Sequence, residues 1–89
     1  MILGRSKAGH DIGQIYAVLK EDGGYYFLAN GENRTMEAPK KKNIKHIQLI
    51  KNLPDRVKQI LPEENKLTDL DIKRIIRLYQ EEENCQKQM

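Results

Sequence analysis

Between residues 14 and 51 apolar side chains recur at every second position and are interrupted by short glycine-bearing polar stretches. That period marks short antiparallel strands joined by tight turns. Over residues 14–20, Ile15, Ala17 and Leu19 fall on one face and Tyr16, Val18 and Lys20 on the other. Asp22-Gly23-Gly24 supplies the positive φ angles of a hairpin and leads into an aromatic-rich strand over residues 25–29. Asn30-Gly31-Glu32-Asn33 reads as a second hairpin turn, and Arg34-Thr35-Met36 as a brief strand, because Pro39 removes a ladder donor soon after. A strand over residues 44–50 directs Ile47 and Leu49 inward and His46 and Gln48 outward, and another is expected over residues 2–7.

About five strands this short cannot stack two full sheets. They suffice for a mainly β fold, a small closed or nearly closed barrel that leaves no exposed edge. A five-stranded Greek-key barrel of the oligosaccharide- and nucleic-acid-binding kind is the nearest rival, and it usually needs longer strands. Residues 1–53 are therefore expected to form the barrel.

Residues 54–89 change period and form a helical C-terminal extension. Residues 54–61 can make one or two turns between Pro54 and Pro62. The stronger helix starts at Thr68, a good N-cap, with Asp69 and Asp71 at the positive end of its dipole. Leu70, Ile72, Ile75, Ile76, Leu78 and Tyr79 form its apolar stripe, suited to docking on the barrel. After Gln80 the run to Met89 has no apolar face and is expected to fray.

Composition sharpens the picture in one respect, the distribution of charge. The 89 residues carry a net +3. Through Leu53, nine basic residues meet five acidic ones, a balance of +4; from Pro54 onward, seven meet eight, a balance of −1. The positive field belongs to the strand region, which suits a polyanion partner. The single Cys85 can close no intrachain disulfide, which fits a reducing cytoplasm. No apolar run approaches a membrane span, and the N-terminus lacks a signal-peptide core.

Residues 5–14, Arg-Ser-Lys-Ala-Gly-His-Asp-Ile-Gly-Gln, form the most informative segment. Gly9 and Gly13 allow backbone to approach a phosphate, while Arg5, Lys7 and His10 offer charge. As a plain interstrand turn, the same glycines serve backbone geometry alone. Pro39-Lys40-Lys41-Lys42-Asn43, with Lys45 and His46, puts five basic or potentially basic groups within seven residues. Such lysines are flexible point charges suited to phosphate contact without base reading; as a solvated run they would only blunt a strand edge. Tyr16, Tyr25, Tyr26 and Phe27 are candidate base-stacking rings, with core packing the more ordinary use of so few aromatics.

The string from Ser6 to Leu19, with Gly13 preceding an alternating strand, resembles a KOW motif. Its continuation through Asp22-Gly23-Gly24-Tyr25-Tyr26-Phe27-Leu28 and Pro39-Lys40-Lys41-Lys42-Asn43-Ile44-Lys45-His46-Ile47-Gln48 is similar to small bacterial KOW-domain proteins, relatives of the large-subunit ribosomal protein family called L-fourteen-e. The resemblance spans roughly residues 2–50, and residues 67–76 resemble the helical tail often appended there. It implies an SH3-like barrel and RNA binding, with large-subunit ribosomal RNA as the expected partner and ribosomal proteins as further ones. On that reading Arg5, Lys7, His10, Arg34, Lys40, Lys41, Lys42, Lys45 and His46 face RNA phosphates from the barrel loops, and Gly9 and Gly13 shape the loop.

Other chemistries find little support. Ser6, His10 and Asp11 lie in one short loop with no evident oxyanion hole, so no catalytic triad is expected. His10 and His46 lack metal-ligand spacing, and no nucleotide-binding glycine loop is present, so neither metal nor cofactor is expected. The rival from another class is a protein-interaction adaptor, using the barrel and the tail helix to bind other proteins.

Overall fold

The computed structural model describes residues 1–87. Five strands, β1 (Ile2–Ser6), β2 (Ile15–Asp22), β3 (Tyr25–Ala29), β4 (Lys40–Asn43) and β5 (Ile47–Ile50), form one antiparallel sheet in the order β4-β3-β2-β1-β5. A single 3-10 turn, Ile44–His46, joins β4 to β5. A one-turn helix α1 (Asp55–Lys58), a second 3-10 turn (Glu64–Lys66) and the long helix α2 (Asp69–Lys87) follow.

The sheet is not closed. β4 and β5 are its two edges, and β5 returns to pair with β1, with Ser6 opposite Ile47 and Leu3 opposite Ile50. The 3-10 turn between them redirects the chain so that the two edges do not run alongside each other.

Both faces of the sheet carry a buried cluster. Leu3, Ile15, Ala17 and Ala29 share one buried cluster with Leu53, Val57, Ile72, Ile75 and Ile76, so α1 and α2 complete the core rather than trail from it. Tyr16, Leu28 and Ile47 form a second cluster on the opposite face, with Val18, Tyr26 and Leu49 packed around them. At helix α2, Thr68 caps Asp71 N at 3.2 Å while the Asp71 carboxylate accepts from Thr68 N at 3.2 Å, a reciprocal capping box.

Three expectations are corrected. Residues 44–46, expected in the last strand, form the 3-10 turn, because Asn43 Oδ1 accepts from Lys45 N at 2.9 Å and caps it, so the strand starts only at Ile47. Residues 34–36 are not a strand. Asn30 Oδ1 accepts from Glu32 N and Arg34 N at 2.9 and 3.0 Å, Arg34 O accepts from Asn30 N at 2.8 Å, and Met36 N donates to Asp69 Oδ1 at 2.8 Å. Local and helix-directed bonds thus satisfy this backbone without a ladder, and the fourth strand begins only after Pro39. The acidic run after Gln80 also remains helical as far as Lys87. Arg56 bonds Glu82 at 2.7 Å and Arg5 pairs with Glu83, so these acids tie the last turns back to α1 and β1. Residues 88 and 89 of that run lie outside the described residues.

Candidate nucleic-acid interface

The loop between β1 and β2 is closed at its neck by backbone bonds from Ser6 N to Gln14 O at 2.9 Å and from Gly13 N to Ser6 O at 2.8 Å. Gly9 and Gly13 hold φ of +88° and +90°, a region that side chains with a Cβ rarely enter. These two reversals fold the loop inward, so that Asp11, at its centre, is 7% exposed.

Asp11 organises the site. Its carboxylate lies 2.9 Å from Ser6 Oγ and accepts from Tyr16 Oη at 2.7 Å, Lys40 Nζ at 2.9 Å and Lys42 Nζ at 2.5 Å. Lys42 Nζ also donates to Ser6 Oγ at 2.8 Å and to the carbonyl of Ala8 at 2.6 Å. A carboxylate removed from water needs partners of this kind. Burial raises the Asp11 pKa, but the bonds from Lys40, Lys42, Tyr16 and Ser6 outweigh it and hold the carboxyl well below the usual range. The Tyr16 phenol is pushed up, first by burial and then by Asp11, with the charge of Arg34 acting against them.

The nine basic positions therefore separate by role. Lys40 and Lys42, two residues apart on β4, share the face that looks onto Asp11 and are occupied by it. Arg5 is half-buried and paired with Glu83; burial opposes its charge, and the Glu83 contacts more than compensate. Lys7, His10, Arg34, Lys41, Lys45 and His46 are exposed.

Of these six, the fold joins Lys7 to His46 through a bond from Lys7 N to His46 O at 2.8 Å, which brings the β1–β2 loop against the 3-10 turn. Asn43 Oδ1 caps that turn by accepting from Lys45 N at 2.9 Å. The result is a rim bearing Lys7, His10, Lys45 and His46, beside which the Asp11 carboxylate is buried and paired with Lys40 and Lys42. Lys41 does not join this rim. It points to the other face of β4, where its ammonium lies 4.4 Å from the centroid of the Tyr25 ring.

The organising role of Asp11, with Ser6 and Tyr16 as partners, is the feature that sequence reasoning missed. Its available signal was the alternation within residues 40–43, which as a strand place Lys40 and Lys42 together and Lys41 apart. Among the described residues no group of three His, Cys, Asp or Glu side chains is placed to hold a metal, and no helix is long and apolar enough to cross a membrane. No family model matches the chain and no curated protein matches it, so the functional reading rests on these residues and their geometry.

Proposed function

We propose that the protein is an RNA-binding accessory of the cytoplasmic ribosome, built on an SH3-like framework of the KOW kind and held to ribosomal RNA by its phosphates. The return of β5 to β1 after a single 3-10 turn favours the SH3-like reading of the open, curled sheet. The observation that carries the functional reading is the joining of Lys7 to His46, which gathers two separate basic segments of the sequence into one exposed rim.

Such a rim suits phosphate contact by point charges, which positions a protein on RNA without reading its bases. The Asp11 network contributes indirectly: two lysines against one carboxylate leave a local balance of +1, and the bonds of Lys42 fix the loop that presents Lys7 and His10. Lys40, Lys42 and Arg5 act in this reading as positioning residues, Lys7, His10, Lys45 and His46 as the rim contacts, and Arg34, exposed in the segment between β3 and β4, as a further contact apart from the rim.

The test is sedimentation of the tagged protein from lysate through sucrose at low and high salt. Co-migration with the large ribosomal subunit that is lost as salt rises is the expected result. Migration at the top of the gradient at both salts would overturn the ribosomal assignment, and recovery of a specific protein after nuclease treatment would move the reading to an adaptor.

A further inference from the structure

The hairpin of β2 and β3 carries a second surface that the loop rim does not use. Tyr25 and Phe27 stand on the face of β3 that also bears Ala29, but the core under the helices gathers Leu3, Ile15, Ala17 and Ala29, with Leu19, Met36 and Ile50 packed against it, and includes neither ring. Neither ring belongs to either buried cluster; Tyr25 is 38% exposed and Phe27 is half-buried.

Register places cations beside the rings. Phe27 pairs with Lys20 on one side and Lys41 on the other, and Tyr25 pairs with Asp22 and Asn43. A bulge between Val18 and Lys20 decides the first of these pairs. Had the ladder continued regularly from Val18 opposite Leu28, Leu19 would face Phe27; the extra residue substitutes Lys20. The Lys20 ammonium then lies 4.8 Å from the Phe27 ring centroid, as Lys41 lies over Tyr25.

We infer that this hairpin face binds unpaired RNA, with bases stacked on Tyr25 and Phe27 and the flanking phosphates held by Lys20 and Lys41. The inference rests on the RNA-binding reading and adds to it a second site for a different form of RNA. Residues two apart on a strand are about 6.7 Å apart, twice the roughly 3.4 Å rise of stacked nucleotides. Two bases can occupy the two rings only if the strand between them is drawn out. A duplex, whose bases are hidden in their own stack, has nothing to offer these rings.

The lysines over the rings do not bar the site. An ammonium over an exposed ring adds a factor of only about 2 to 5 to an equilibrium, whereas a stacked base adds roughly 5 to 150. A base therefore displaces the ammonium, which is left beside the incoming phosphate. Asp22, at the hairpin end of the Tyr25 row, repels phosphate and marks the limit of the site.

The experiment compares binding of an oligouridylate of about eight nucleotides with binding of an RNA duplex of about 16 base pairs. The proteins are the wild-type chain, Tyr25→Leu, Phe27→Leu, and the double variant Lys7→Ala with Lys45→Ala. Leucine keeps an apolar cover on the strand while removing the ring. Each ring variant is expected to weaken oligouridylate binding by about 5- to 150-fold and to leave the duplex unaffected, while the double lysine variant weakens the duplex.

Unchanged oligouridylate binding by both ring variants overturns the inference, as does a wild-type chain that binds the duplex alone. A wild-type chain that binds neither RNA overturns the RNA-binding reading as well. Should a variant fail to fold, the wild-type Tyr25 ring resonances decide: an upfield shift on adding oligouridylate supports stacking, and its absence refutes it.

Discussion

Lys42 Nζ, on the β4 edge of the sheet, donates to Ser6 Oγ on β1 at 2.8 Å although two strands lie between them in the ladder. Three interstrand gaps in a flat sheet amount to about 14 Å, beyond the reach of one lysine side chain. The sheet must therefore curl, and the curl is fastened where β4 meets the β1–β2 loop. Asp11 sits at that fastening, between Lys40 and Lys42. One buried carboxylate thus links the shape of the sheet to the position of the basic loop.

Asp11→Asn is expected to destabilise the protein by about 3 kcal/mol, the lower part of the range for breaking a buried ion pair, because Lys40 is 28% exposed. Urea unfolding measures it. A double-mutant cycle of Asp11→Asn with Lys42→Gln should return a coupling above the roughly 1 kcal/mol ceiling of a surface pair. A coupling near zero would make the network incidental to stability.

Acid should loosen the same fastening. The folded carboxyl of Asp11 holds its proton less tightly than the ordinary value of 3.8 that applies in the unfolded chain. Its contribution is thus complete well above that value and declines as pH falls toward and through it, because the unfolded state then binds the proton first. Stability is expected to drop from about pH 5 downward, with a shallower acid limb in Asp11→Asn. Melting temperatures at a series of pH values check both slopes.

The lysines should divide between binding and stability. Lys7→Ala and Lys45→Ala, at exposed positions, are expected to change stability by less than about 0.5 kcal/mol. Each should reduce the slope of log affinity against log salt on duplex RNA by about 0.9. Lys42→Ala is expected to destabilise the fold, since its side chain is 11% exposed and three groups accept from it. A simultaneous replacement of Lys40, Lys41 and Lys42 would confuse the two effects, which is why the single variants, read by both urea unfolding and RNA titration, are the informative ones.

What could be read in advance was whatever local pattern dictates. The alternation over residues 14–29 gave two strands, their hairpin and the opposite facing of Tyr16 and Ile15, and the 3.6-residue stripe with Thr68 gave α2. The misplaced fourth strand has a nonlocal cause: the Asn30 turn and the Asp69 contact withdraw residues 34–36 from pairing, and the polar sequence Lys40–Asn43 becomes a strand because β3 offers it a partner. Charge alone marked the basic segments. It could not separate Lys41 from Lys40 and Lys42, because their difference depends on which face meets Asp11 across the curled sheet. The helical persistence beyond Gln80 likewise depends on Arg5 and Arg56, distant in sequence from the glutamates they hold.

Gly31 fixes the docking of α2 through a contact that no other residue type would permit. It adopts φ of +80°, and a Cβ there would lie 2.3 Å from the carbonyl oxygen of Asp69 and 2.9 Å from Lys73 N. Both neighbours are backbone atoms in the first turns of α2, so neither can step aside as a flexible side chain would. Gly31→Ala must then strain the loop or lift the helix, and lifting it uncovers Ile72 and Ile75, both buried against the sheet. A loss of about 2 to 4 kcal/mol is expected, seen as a lowered urea midpoint. Gly23→Ala serves as the control. It too has positive φ but nothing within 4 Å of the added Cβ, so it carries only the backbone strain, about 1 kcal/mol. Equal losses in the two variants would show that conformation, rather than contact with α2, sets the requirement at residue 31.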